Sequence, residues 1–138
     1  MATTFDVFVS YPHEEREWVS QLAMALVERG LRVWYGESQI KPGESWIEGV
    51  QQGLQASNYF VFIITSRVAQ SNWAALELGA ALGLGKPIIP VVAEDVAPED
   101  IPGPARLRRY ILKADPVTVA EEIIRAISDV REGEKTPA

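Results

Sequence analysis

The chain has no cysteine and a single histidine, His13. Without thiols there is no disulfide framework and no thiolate metal site. One histidine does not make a His-rich metal centre, and a Ser-His-Asp triad is not expected. Positive charge is also scarce: 13 Lys and Arg stand against 19 Asp and Glu, a formal net charge of −6. General nucleic-acid binding needs a basic face, and none is visible. No apolar run reaches membrane-spanning length. Gly79, Gly83 and Gly85 do not fall in a G-x-G-x-x-G motif after a strand, and there is no Walker-type loop. Close helix packing is the plainer role for those glycines. "MATTFDVFVS" enters a strand pattern almost at once, so no secretory leader is expected and the cytoplasm is the expected compartment.

What is present is ordinary for a globular protein. The chain has 138 residues, 47% of them hydrophobic and 23% charged, which fits one domain with one core. Strand and helix patterns alternate along it. "FDVFVS" (5–10) is rich in aromatic and β-branched residues and reads as a strand. A helical pattern follows from Glu14 to Arg29, with acidic residues in its first turns and Gly30 where a C-cap belongs. "LRVWY" (31–35) is a second strand. Ser45 and Glu48 form a capping-box pattern for a helix through about Ala56.

"YFVFII" (59–64) is a continuous apolar run, as expected of a central strand covered on both sides. A third helical region follows. "PIIPVV" (87–92) is a fourth strand, although Pro90 cannot donate a ladder hydrogen bond and points to an interruption or an edge. After a Pro- and acid-rich loop, "RYILK" (109–113) is a short fifth strand and 117–130 a last helix. The alternation implies an α/β fold of flavodoxin-like, three-layer form: a five-stranded parallel sheet in order 2-1-3-4-5 with helices on both faces. The domain is expected over residues 1–132, with 133–138 a disordered tail or the start of a linker.

Ligands in such a sheet bind at the switch point, beside the carboxyl end of the first strand. Three stretches compete for attention there. From Trp73 to Leu84 every residue is apolar or glycine except Glu77. Residues three and four positions from it are Trp73, Ala74, Ala80 and Ala81, so no local cation pairs with it. The pattern alone leaves two readings open: the solvent side of an apolar helix, or a working carboxylate beside the aromatic wall of Trp73. The loop "GESQIKPGESW" is long for a strand-to-helix connection; it is either a ligand-edge loop or an exposed connection turned by Pro42-Gly43. Trp46 beyond it could equally anchor the core. "SYPHEE" stands where a flavodoxin carries its phosphate loop and has none of that loop's glycines. A phosphorelay receiver is excluded too, because the third strand ends in Ile64-Thr65-Ser66 rather than an aspartate.

In combination these segments resemble the Toll/interleukin-1 receptor (TIR) domain family, over nearly the whole chain. "FDVFVSY" is similar to the family's first box. "VWYGESQIKPGESWIEGVQQGLQAS" is similar to its second strand, BB loop and following helix, with Ile40, Lys41, Pro42 and Gly43 forming the Ile-x-Pro-Gly element. "SNWAALEL" resembles its Ser-x-Trp-x-x-x-Glu-Leu element, and "GKPIIPVV" its fourth-strand segment.

The resemblance implies an activity: many prokaryotic TIR domains cleave the nicotinamide–ribose bond of NAD⁺. By the same carry-over Glu77 is the catalytic glutamate, and Tyr11, Trp46 and Trp73 line the nicotinamide–ribose pocket, with Ser10 and Ser71 beside them. No metal and no cofactor is expected, since NAD⁺ enters as the substrate. The expected partners are NAD⁺ and other copies of the chain through the BB loop, with a further domain or effector protein possible, and no nucleic acid or membrane. Two positions depart from the family's habit: Gly36 stands where many relatives carry an aspartate, and Pro12 where a small polar or basic residue is common. Two competing functions remain. One is a non-catalytic TIR interaction module, an adaptor or virulence mimic, which has no need of Trp73-x-x-x-Glu77. The other is a nucleoside deoxyribosyltransferase-like enzyme, against which the Pro-Gly loop argues.

Overall fold

Alternating and continuous apolar patterns assemble into one sheet in the computed structural model, which describes residues 5–35, 53, 55–66, 85–100 and 110–135. Strands β1 (Phe5–Ser10), β2 (Val33–Tyr35), β3 (Ser57–Ile64), β4 (Ile88–Val92) and β5 (Ile111–Leu112) form a parallel sheet in the order β2-β1-β3-β4-β5. The expected order is thus observed. β3 lies between β1 and β4 and is buried at every position except half-buried Asn58. That is why its sequence from Tyr59 to Ile64 is apolar without alternation; the expected strand gains Ser57 and Asn58 at its start.

The two faces of the sheet are different in kind. Odd-numbered positions Val7, Val9, Tyr59, Val61, Ile63, Ile89 and Val91 form a layer that is aliphatic apart from Tyr59. Helices α1 (Arg16–Glu28) and α2 (Pro116–Lys135) pack on it through Val19, Leu22, Leu26, Val119, Ile123 and Ile127. Even-numbered positions carry an aromatic row, because Phe8 is in register with both Trp34 and Phe60. Phe8 stacks on Trp34 with centroids 4.5 Å apart, and Phe60 meets Phe62 edge to face at 5.5 Å. Both layers are buried, as a three-layer fold requires.

Local chemistry moved several element boundaries. The helix expected from Glu14 begins at Arg16, because His13–Glu15 close a 3-10 turn in which the Glu15 N–H donates to the Pro12 carbonyl at 2.9 Å. At its other end Gly30 has φ of +90° and caps α1 as expected. The Gly30 N–H donates to the Val27 carbonyl and the Leu31 N–H to the Leu26 carbonyl, the two bonds of a Schellman motif. Leu31 is thereby taken from the second strand. Arg32 follows it out, since its N–H donates to the Asp6 carboxylate at 2.8 Å.

Pro90 neither interrupts β4 nor marks an edge, which corrects the sequence expectation. The Ala93 N–H bonds to the Ile64 carbonyl and the Lys113 N–H to the Val92 carbonyl, so even positions of β4 face β5. Pairing with β5 begins at Val91, and the missing N–H of Pro90 falls short of it. The last helix starts one residue early, with Pro116 in its first position after the Asp115 cap, and continues to Lys135. Gly133 does not stop it, since one glycine among helix-forming Arg, Glu and Lys costs only about 1 kcal/mol. Of the helix expected from Ser45, only Gly53, Gln55 and Ala56 are described; Gly53 and Gln55 are helical, and the Ser57 hydroxyl donates to the Gly53 carbonyl.

Candidate functional site

A parallel sheet delivers the carboxyl ends of all its strands to one edge, and the order here reverses direction at β1. Ser10 ends β1 and pairs in register with Phe62. Tyr11, the next residue, is half-buried and packs against the aliphatic layer. Pro12 then fixes the chain direction and accepts the turn's closing hydrogen bond. Both residues assigned to the first strand's end by sequence therefore stand at the switch point.

Three further segments meet this one along the edge. After β3 come Thr65 and Ser66, after β4 the turn Ala93–Val96, and after β5 Lys113 and Ala114. The Ser66 hydroxyl donates to the Asp95 carboxylate at 3.1 Å, joining the β3 and β4 ends. Lys113 Nζ pairs with Glu15 Oε2 at 3.1 Å and lies 5.0 Å from the centre of the Trp18 ring. Trp18 Nε1–H donates to the Ala114 carbonyl at 3.0 Å, tying α1 to the segment after β5.

Between these segments lies a hollow of about 440 Å³, lined by Glu14, Glu15, Thr65, Ser66, Ala93, Asp95 and Lys113. A second hollow of about 310 Å³ shares Ala93, Asp95 and Lys113 with it. The larger lining sets three carboxylates and two hydroxyls against one ammonium that is already paired. Among the described residues, such a lining accepts hydrogen bonds from sugar hydroxyls and favours a cationic group rather than a phosphate. Among the described residues no group of three or more His, Cys, Asp or Glu could hold a metal ion.

Trp46, Ser71, Trp73 and Glu77 lie outside the described residues, as do Ile40, Lys41, Pro42 and Gly43 of the BB-loop element. Ser66, Asp95 and Lys113 were not singled out in the sequence, and Glu15 only as the end of "SYPHEE". They come from four separate connections, and no spacing rule joins them. The one usable signal was topological: each follows the carboxyl end of a strand.

Comparison with known proteins decides the family. The sequence model of the TIR domain matches residues 7–126. This chain belongs to the TIR domain family. A relative named NAD(+) hydrolase TcpA, from Theionarchaea archaeon, is 31% identical over 101 residues, covering 70% of this TIR chain and 31% of that protein. A second, 2' cyclic ADP-D-ribose synthase BtTIR from Bacteroides thetaiotaomicron, is 36% identical over 75 residues, 54% of this chain and 26% of that one. This chain thus spans less than a third of the length of either relative. Among solved structures, the TIR domain of the Toll-related receptor TRR-2 from Hydra magnipapillata superposes with a TM-score of 0.73 at 22% identity, over 93% of this chain and 99% of that one. A TIR-STING receptor from C. gigas gives 0.77 at 23% identity, over 91% of this chain and 40% of that one. These likenesses carry the fold of the TIR family onto this sheet.

Proposed function

We propose that this TIR domain cleaves the nicotinamide–ribose bond of NAD⁺. The observation that carries the reading is kinship with proteins named NAD(+) hydrolase and cyclic ADP-D-ribose synthase, in a chain that keeps Trp73-x-x-x-Glu77. In this reading Glu77 holds the ribose hydroxyls and stabilises the oxocarbenium-like transition state electrostatically. Ordinary glycosidases need a second carboxyl to protonate the leaving oxygen. Nicotinamide leaves as a neutral ring from a cationic one, taking the bonding electron pair, and needs no proton. Water then adds to the ribosyl cation and releases one proton, giving ADP-ribose. Capture by the adenine or by a ribose hydroxyl gives a cyclic isomer instead. Tyr11 and Ser10 form the wall at the end of β1, and Trp46, Trp73 and Ser71 complete the pocket.

The setting we propose is bacterial antiphage defence in the cytoplasm, with assembly through Ile40, Lys41, Pro42 and Gly43. Among the described residues no helix is long and apolar enough to cross a membrane. The test is incubation with NAD⁺ over a wide range of protein concentration, with chromatography of the products. Nicotinamide release that rises faster than protein concentration supports both cleavage and assembly. Activity per molecule that stays constant contradicts the assembly part, and intact NAD⁺ favours the interaction-module reading. ADP-ribose against a cyclic isomer separates hydrolase from synthase.

A further inference from the structure

Among the described residues, the ion pair between Lys113 and Glu15 stands apart from the other charge pairs by where it sits. Arg29 with Glu121 and Arg32 with Asp6 each include a side chain more than half exposed. Lys113 and Glu15 are 24% and 17% exposed, and both line the hollow at the carboxyl edge. Burial to that degree reduces solvent screening of the pair.

Its connections run in series toward the switch point. The Lys113 N–H donates to the Val92 carbonyl at 2.8 Å, so the backbone of Lys113 is fixed to β4. Its side chain lies on Trp18 and ends on Glu15. The Glu15 N–H closes the 3-10 turn on the Pro12 carbonyl, and Pro12 follows Tyr11 directly. The Trp18–Ala114 bond already ties α1 to this segment, and the aliphatic core already holds α1 on the sheet. The ion pair adds a hold on the turn itself.

We propose that Lys113 is a positioning residue that fixes the turn after β1, and Tyr11 with it, over the carboxyl edge of the sheet. Its bearing on NAD⁺ rests on the function proposed above. Pro12 serves the same end by removing backbone freedom between Tyr11 and the turn.

Amide hydrogen exchange on the whole chain tests this without reference to activity. Lys113→Met keeps the aliphatic stem over Trp18 and removes the charge. Exchange at residues 11–15 should then quicken about fivefold, the effect of losing a partly buried pair, while β3 is unchanged. Glu15→Gln should do the same, and the exchanged pair Glu15→Lys with Lys113→Glu should restore protection. In kinetics with NAD⁺, Lys113→Met should raise KM by a similar factor and leave kcat near the wild-type value. Unchanged exchange at 11–15, or quickening spread evenly through the domain, overturns the proposal. Quickened exchange with KM unmoved also overturns it, leaving a structural contact only. If the wild type does not turn over NAD⁺, the functional reading fails, and the exchange experiment still decides whether Lys113 holds the turn.

Discussion

Phe8 and Trp34 stack with their ring planes 10° apart, and Gly53 lies directly against both rings. A Cβ at Gly53 would fall 3.0 Å from Trp34 Cδ2 and closer still to the Phe8 ring. The two rings are buried on the aromatic face of the sheet, so neither can swing aside freely. Gly53→Ala should therefore destabilise the domain by about 1–3 kcal/mol from overpacking, even though alanine is the better helix former by about 1 kcal/mol. Urea denaturation gives the sign. A stabilised variant would mean that the aromatic layer yields.

Gly30 tests conformation without packing. Nothing lies within 4 Å of a Cβ placed there, while its φ of +90° is a conformation that other residues rarely adopt. Gly30→Ala should lower stability by about 1 kcal/mol, and Gly30→Asn by less, because asparagine tolerates the left-handed region. Equal losses for the two variants in thermal denaturation would count against the Schellman cap as the cause.

Asp115 supplies a pH-dependent term. Its carboxylate accepts hydrogen bonds from the Thr118 N–H at 3.0 Å and the Thr118 hydroxyl at 2.7 Å, capping α2. These bonds, the one from the backbone N–H foremost, hold its pKa below the ordinary aspartate value. A lowered folded-state pKa means that the stabilisation is present above the unfolded-state value of about 3.9 and is lost as pH falls through the folded-state value. Asp115→Ala should have a lower melting temperature than wild type at pH 7, and the gap should narrow below about pH 4. A gap independent of pH would show that the charge has no part in the cap.

These residues also show what the sequence made legible. Strand β3 could be read from composition over Tyr59–Ile64, where burial on both faces leaves no charged position, but not at its polar start, Ser57 and Asn58. Gly30 could be read because few residues accept its backbone angle. Pro90 misled, because a proline in a strand says only that one N–H is absent and not which neighbour would have needed it. The end of the 3-10 turn, Glu14 and Glu15, was read as the start of the helix, since acidic residues suit either. Topology placed Ser10 and Tyr11 at the end of the first strand, and the likeness to TIR domains alone gave them a role. Glu15 and Lys113 were not legible, because their meeting depends on folded geometry across most of the chain length. Glu77 drew notice only as a lone charge in an apolar stretch, and it was the likeness to TIR domains that gave it a role.

Glu77 is also where the account is most directly tested. Nicotinamide release should be measured for the wild-type chain and for Glu77→Ala at the same high protein concentration, with circular dichroism confirming that both are folded. The wild type should release nicotinamide and the variant should lose about a hundredfold or more, the scale set by removing a group that stabilises transition-state charge. A wild type that leaves NAD⁺ intact under these conditions, or a variant that matches it, would contradict the assignment of Glu77 and of NAD⁺ cleavage.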